Sequence, residues 1–409
     1  MRIAFLTQWF DPETGSAAIP GAIARALKDR GHDVTVITGY PNYPTGRLHD
    51  GYRVKLLQRE RLRGLRVFRV PLYPSHDSSP VRRALNFLSF MASASSLGAL
   101  IARRSPVTLV YSTSVTVGMA GWVLRRVLRK PFVLLVQDLW PDTVIATGMV
   151  PDRLARPAEL IIGAFCQRIY AAASVILVIS PGLKDLLVDR GIPEEKIRVV
   201  YNWVDEDMFR PVEPPARDGS TFDVMYAGNL GDVQGLDVAL RAMALLDDLP
   251  HVRLRFIGDG VARLKLEELV AQLGMGNRVL FEGSRPVEEM SATMASADVQ
   301  LVCLKDIPLF RVTMPSKIQG ILASGQPMLV SAPGDAAVLA ERSGAGIAVP
   351  AGDVEALAAA IRRCARMPKA ELRAMGHRGY EFYERELSAK VGVRTMEEAL
   401  LDAARGVGR

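Results

Sequence analysis

The sequence predicts an α/β protein made of two doubly wound, Rossmann-like domains. Three observations carry this. A chain of 409 residues is long for one hydrophobic core, β-branched runs alternate with helical periodicity from end to end, and a single proline-rich stretch breaks the rhythm.

In the first half the strand candidates are 2–7, 33–38, 67–72, 108–112, 132–136 and 175–179. Helical stretches fall between most of them, at 17–30, 81–104, 117–128 and 153–172. The run RPVEPPARDGS at 210–220 has three prolines, a glycine and no apolar periodicity, which is linker composition. Alternation then restarts, with strand candidates 222–227, 252–257, 279–282, 299–303, 327–330 and 346–349. The expected domains are 1–205, a linker at 206–220, 221–380, and a C-terminal helix over 381–409 that returns toward the first domain. Ligands of such sheets sit outside the carboxyl ends of the strands, so a cleft between two facing domains is the expected site.

Composition narrows the class. Hydrophobic residues at 49% and charged residues at 23% exclude wholesale disorder. Cys166, Cys303 and Cys364 are widely spaced and five histidines are scattered, so neither a disulfide scaffold nor a zinc site is expected, and a reducing cytoplasm is. A net charge of +7 favours anionic partners; by charge alone nucleic acid, a membrane surface and nucleotide diphosphates all qualify. The basic residues gather in the first half, at Arg59, Arg61, Arg63, Arg66 and Arg69, which reads equally as a solvated face. The opening residues read as a strand, so no secretory signal is expected there. The segment 84–102 is uncharged between Arg82-Arg83 and Arg103-Arg104, and is serine-rich. It reads as a helix packed on a sheet, with flanks suited to anionic lipid headgroups.

Three motifs suggest anion binding. Gly15 and Ser16 precede a helix, where free N–H groups and the dipole favour a negative charge, although a turn with an N-cap at Ser16 explains them as well. Gly228, Gly231 and Gly235 lie between a strand and a helix in the spacing G-x-x-G-x-x-x-G, which suits a nucleotide diphosphate better than a nicotinamide cofactor. Asp259, in Gly258-Asp259-Gly260, is the candidate ribose-binding acid. Lys317 follows Pro315-Ser316 in the first turn of a helix, where a cation opposes the dipole unless an anion is bound there too.

Read together, the ordered pieces Pro12-Glu13-x-Gly15, Gly31-His32-Asp33, Pro41-Asn42-Tyr43-Pro44, Gln137-Asp138-Leu139-Trp140-Pro141-Asp142, Tyr201-Asn202-Trp203, Gly228-Asn229-Leu230 and the 315–327 block resemble family 4 of the retaining glycosyltransferases. The closer likeness is to a bacterial cell-surface polysaccharide branch that includes N-acetylfucosamine transferases. The resemblance implies the two-domain GT-B fold, a nucleotide-sugar donor with uracil as the usual base, a lipid-linked or saccharide acceptor, and no nucleic acid. It assigns donor binding to Gly15, Ser16, Gly228, Asn229, Gln234, Gly258, Asp259, Arg285, Arg311, Thr313, Ser316 and Lys317, and a catalytic role to Asp138, Asn229 and Lys317. Two departures stand out: Gln234 replaces the usual basic residue of the phosphate loop, and Val312 and Gly320 stand where the family commonly has two glutamates, the second of which binds ribose.

The implied reaction is same-face transfer without a divalent ion, with helix N-termini and basic side chains stabilising the leaving diphosphate. His32 reads as structural, and His76, in Ser75-His76-Asp77, is unassigned. The expected location is the cytoplasm, peripheral on the inner face of the plasma membrane through 82–104. Competing readings are a transferase for soluble small acceptors, as in antibiotic tailoring, a UDP-sugar 2-epimerase of the same fold, and a two-lobed solute-binding protein.

Overall fold

The computed structural model describes residues 1–75, 79–146, 150 and 152–406, with side chains at 16, 146 and 152–155 outside the description. The chain forms two compact units. One comprises Met1–Ile179, Leu183–Val200 and Val393–Arg409; the other comprises Ser180–Gly182 and Tyr201–Gly392.

The first unit is built on an eight-stranded sheet. In chain order its strands are β1 (Arg2–Thr7), β2 (Asp33–Thr38), β3 (Gln58–Leu62), β4 (Leu65–Arg69), β5 (Val107–Ser112), β6 (Phe132–Val136), β7 (Val175–Val178) and β8 (Ile197–Val199). They lie side by side as β3-β4-β2-β1-β5-β6-β7-β8, and all neighbours but β3 and β4 are parallel. Helices cover the central strands, so β5, β6 and β7 are buried throughout and read as continuous apolar runs.

Around β4 the sequence expectation needs correction. The strand expected at 67–72 ends at Arg69 and is the second arm of a hairpin, closed at Arg63 and Gly64, both with positive φ, as such a two-residue turn requires. β3 is polar at four of its five positions, QRERL, which hid it. Arg69, expected on a basic face, is instead fully buried. It donates to Gly39 and Asp11 carbonyls, pairs with Glu60 at 2.5 Å and lies 4.8 Å over the Tyr52 ring. That set of partners is what makes a buried guanidinium tolerable.

The opening loop and the 41–44 segment are tied by one side chain. Buried Glu13 accepts the backbone N–H groups of Phe10, Asn42 and Tyr43 at 2.8 to 2.9 Å. Burial outweighs these bonds and raises its carboxyl above the usual range. His32 sits between the chain's N-terminal amine, 3.1 Å from Nδ1, and Glu397, 2.8 Å from Nε2, and Glu397 also pairs with Arg30. These contacts and the Arg198–Asp402 pair at 2.6 Å hold the last helix, Ala389–Arg405, to the first unit from Val393 on.

One helix, continuous over Pro80–Ala102, is long and apolar enough to cross a membrane, and 28% of its most apolar window is buried. Asn86, Phe90, Ala94, Gly98, Ala99 and Ala102 face the unit's interior, while Val81, Leu85 and Leu88 are exposed at 69%, 47% and 48%. A helix amphipathic in this sense docks one stripe and leaves another uncovered.

The second unit holds a six-stranded parallel sheet of β9 (Phe222–Ala227), β10 (Val252–Ile257), β11 (Val279–Gly283), β12 (Val299–Cys303), β13 (Met328–Ser331) and β14 (Gly346–Val349) in the order β11-β10-β9-β12-β13-β14. The order reverses between β9 and β12, and that is the switch point. β9 pairs with β10 over six residues but with β12 only at Val224 and Met225, so β9 and β12 part before their carboxyl ends. The proline-rich stretch belongs to this unit: Arg217 pairs with Asp298 at 2.8 Å and Asp223 at 3.0 Å.

Candidate active site

Two glycine loops build the floor of a cavity of about 680 Å³ at the switch point. Gly228 ends β9 and Gly258 ends β10, with φ of 140° and 135°, a region L side chains rarely adopt. A Cβ on Gly258 would collide with the Gly228 carbonyl oxygen, so the two loops touch backbone to backbone. Leu230 N–H donates to the Asp259 carbonyl at 2.9 Å and Tyr226 hydroxyl to the Asn229 carbonyl at 2.8 Å, fixing the pair.

Lys317 enters from the other side, in the first turn of the helix Ser316–Ala323. The residue as a whole is half-buried, but its Nζ is shut off from solvent, has no hydrogen-bond partner among the described residues and lies 3.7 Å from the centre of the Tyr226 ring. Burial pushes its pKa down from the usual lysine range to about 7. The Gln234 amide oxygen is also buried without a partner among the described residues, and it lies with the Asn229 amide against Gly231. Unpartnered buried groups cost stability, and a cation so placed beside glycine N–H groups suits an anionic ligand.

The cavity gathers much of the expected donor set: Gly228, Asn229, Gln234, Gly258, Asp259, Arg285, Ser316 and Lys317 all line it. Asp259 turns its carboxylate to the Gly260 N–H at 2.8 Å and to Arg263 at 3.6 Å, and Arg285 pairs with Glu282 at 3.3 Å. Arg311 and Thr313 are corrections. Arg311 is exposed and paired with Asp306 at 3.1 Å, and the Thr313 hydroxyl donates to the Leu309 carbonyl at 2.7 Å; neither lines the cavity. Arg311 ends a short helical turn, Pro308–Arg311, and Thr313 follows it, both before the helix that carries Lys317 begins. Gly320, where the second glutamate was looked for, faces the Phe209 ring, 3.2 Å from a built Cβ, so a larger side chain would have to displace that ring. The Val312 side chain instead packs on Gly182, and its carbonyl accepts from Ser180 at 2.7 Å.

In the first unit, Gly15 has φ of 65° and opens a short turn, Gly15–Ala18. The helix begins only at Ile19, with Ala18 at its N-cap, so Ser16 is not the cap that the sequence implied; its side chain and His76 lie outside the described residues. Asp138 follows β6 and lines a separate cavity of about 130 Å³ with Trp9, Ser75, Arg83, Phe87 and Trp140. Its carboxylate has no hydrogen-bond partner among the described residues, and although solvent reaches it, the surrounding protein pushes its pKa up to about 6. The neighbouring Tyr111 hydroxyl is raised as well, by burial and by the Asp138 charge. Among the described residues no three His, Cys, Asp or Glu side chains cluster as metal ligands.

Sequence reasoning missed Tyr226, which reads as one more apolar strand position. It also took Arg83 only as a basic flank. The spacing 83, 86, 87, 90 on one helical face was the available signal, since a polar Asn86 in that stripe marks an inward polar environment.

Comparison with known proteins agrees with this division. Residues 14–203 match the family model "Glycosyl transferase 4-like domain", and residues 212–382 match "Glycosyl transferases group 1". The chain is 27% identical over 376 residues to a putative colanic acid biosynthesis glycosyl transferase, WcaI, of Escherichia coli K12, covering 88% of this chain and 91% of the relative. Its fold is similar to that of a sucrose-phosphate synthase from Thermosynechococcus elongatus, with a TM-score of 0.71, 19% identity and 99% of both chains covered. Anabaena HepE, solved in complex with UDP and glucose, superimposes with a TM-score of 0.63 at 18% identity, over 98% of this chain and 99% of HepE. With both halves matched in order and the two parallel sheets in place, the chain belongs to the family 4 glycosyltransferases and has the GT-B fold.

Proposed function

We propose that the protein transfers a sugar from a UDP-sugar to a lipid-linked saccharide, with retention at the anomeric carbon, in the assembly of a cell-surface polysaccharide. One observation carries the donor half: the buried, unpartnered Lys317 ammonium beside the Gly228 and Gly258 loops. A diphosphate there would give Lys317 its missing partner and would meet the start of the helix Ser316–Ala323, so the leaving group is stabilised by fixed charges and dipoles rather than by a divalent ion. Asn229 and Gln234 offer amide contacts to the same group. UDP is bound by Anabaena HepE, and the WcaI relative is named for colanic acid biosynthesis; both support this choice of donor and pathway class.

On the acceptor side, Asp138 orients the attacking hydroxyl and the departing phosphate takes its proton. The exposed stripe Val81, Leu85 and Leu88, beside Arg82, supports a cytoplasmic enzyme held peripherally on the inner face of an anionic membrane. The test is a screen of nucleotide sugars for acceptor-dependent release of nucleoside diphosphate, with EDTA present and the anomeric configuration of the product read by NMR. Release from a UDP-sugar with a retained α-linkage is expected. An inverted product, a need for divalent metal, or free epimer from donor alone would each refute part of the proposal.

A further inference from the structure

The helix Pro80–Ser93 presents Arg83, Asn86, Phe87 and Phe90 on its inner face. Arg83 is half-buried and lines the Asp138 cavity, and its guanidinium has no ion pair or hydrogen bond among the described residues. It also stands in the first turn of a helix that has no acidic residue in that turn, so it opposes the helix dipole. Across the same cavity Ser75 is 7% exposed, and its hydroxyl is buried without a hydrogen-bond partner among the described residues. Asn86 is not available to a ligand: its Oδ1 accepts from Gln8 at 2.6 Å and its Nδ2 donates to the Tyr73 carbonyl at 2.7 Å. Desolvation by the surrounding protein raises the Asp138 carboxyl, and no ion pair joins Arg83 to it. Beside Thr113, Thr143 and Val144, the remaining wall has an aromatic part, with Phe87 edge-on to Trp140 at 5.8 Å and to Trp9 at 6.5 Å.

We infer that this cavity takes a saccharide bearing an oxyanion next to the reacting ring, with the anion held by Arg83 and the Ser75 hydroxyl and the ring set against Trp9, Phe87 and Trp140. The inference rests on the transferase reading and adds the charge of the acceptor to it. The anion is a phosphate ester or a sugar carboxylate. Either accepts charge-assisted bonds from a guanidinium, and both settle the first-turn cation. The cavity is too small for more than one sugar ring, so recognition is confined to the ring and the group attached to it.

The test is calorimetric titration of the full chain, saturated with UDP to keep phosphates out of the second unit's cavity. The probes are octyl phospho-N-acetylglucosamine, octyl glucuronide and neutral octyl glucoside. At least one charged probe is expected to bind about tenfold more tightly than the neutral one, Arg83→Ala should erase the difference, and Arg83→Lys should keep part of it. The probe that gains tells phosphate from carboxylate. Equal affinity for all three, including no measurable binding of any, overturns the inference, as does a preference that survives Arg83→Ala. If Arg83→Ala weakens binding to phosphatidylglycerol vesicles and leaves the preference intact, the guanidinium serves the membrane and the inference falls. A wild-type chain that turns over a donor but shows no charge preference loses only this subsite. One that releases nothing from any nucleotide sugar loses the donor reading instead.

Discussion

The Lys317 ammonium lies 3.7 Å from the centre of the Tyr226 ring and has no hydrogen-bond partner among the described residues, so the fold itself desolvates a cation. Its folded pKa is near 7, below the ordinary lysine value of 10.5. Between those values the folded chain holds fewer protons than the unfolded one, so the cost of burying the charge is present in full below pH 7 and fades as pH rises toward 10.5. Cys303 and Tyr226, which flank the amine, are both pushed up by burial and stay neutral in that window. A bound diphosphate restores the lysine charge. Titration of UDP at pH 8, in buffers of different ionisation enthalpy, should therefore show uptake of about one proton, and at pH 6 almost none. No uptake at pH 8 would mean that the diphosphate does not meet Lys317.

The same geometry predicts opposite effects on stability and binding from one substitution. Lys317→Met keeps the length of the side chain and removes a buried donor that nothing satisfies, so the apo protein should gain about 1 kcal/mol. UDP affinity should fall about tenfold to a hundredfold through loss of a charge-assisted bond. Denaturant unfolding and calorimetric titration read the two. A variant that is less stable and binds UDP as before would contradict the proposed role.

Gly258→Ala should damage the donor cavity without touching a charge. Its φ of 135° disfavours a side chain, and a Cβ would strike the Gly228 carbonyl. A loss of about 2 kcal/mol or more in stability is expected, with UDP binding reduced because the two loops must separate. Gly274→Ala is a suitable control: it also has positive φ, at 67°, but nothing stands within 4 Å of its Cβ, so it should cost less.

Much of this was legible from residue types alone. The second sheet appears in the sequence as six apolar runs, and all six expected strands lie within one residue of the observed bounds at both ends, because the strands of a helix-covered parallel sheet are written largely in Val, Ile, Leu and Phe. β3 was not legible, since its polar alternation is that of an exposed edge strand. Lys317 was legible because a cation in a helix's first turn contradicts local electrostatics. Arg311 failed for the same kind of reason: charge was visible, but its partner Asp306, five residues earlier on a non-helical path, was not. Tyr226 and Phe209 shape the donor cavity through tertiary contact, which no local pattern encodes. The Asp138 cavity likewise draws on the loop after β1, the helix Pro80–Ser93 and the segment after β6, three parts brought together only by the order of the sheet.

Asp138 gives the last prediction. Its carboxyl titrates near pH 6 because the cavity wall desolvates it and no cation lowers it. If its ionised form orients the acceptor hydroxyl, turnover at saturating donor should fall about tenfold for each pH unit below 6 and level off above it. Asp138→Asn is nearly the same size and cannot ionise, so turnover should drop about a hundredfold and the acid limb should vanish. UDP binding should be unchanged, since the residues lining the donor cavity all belong to the second unit. An Asn variant that keeps the acid limb would assign it to another group, and one with wild-type turnover would remove Asp138 from the reaction.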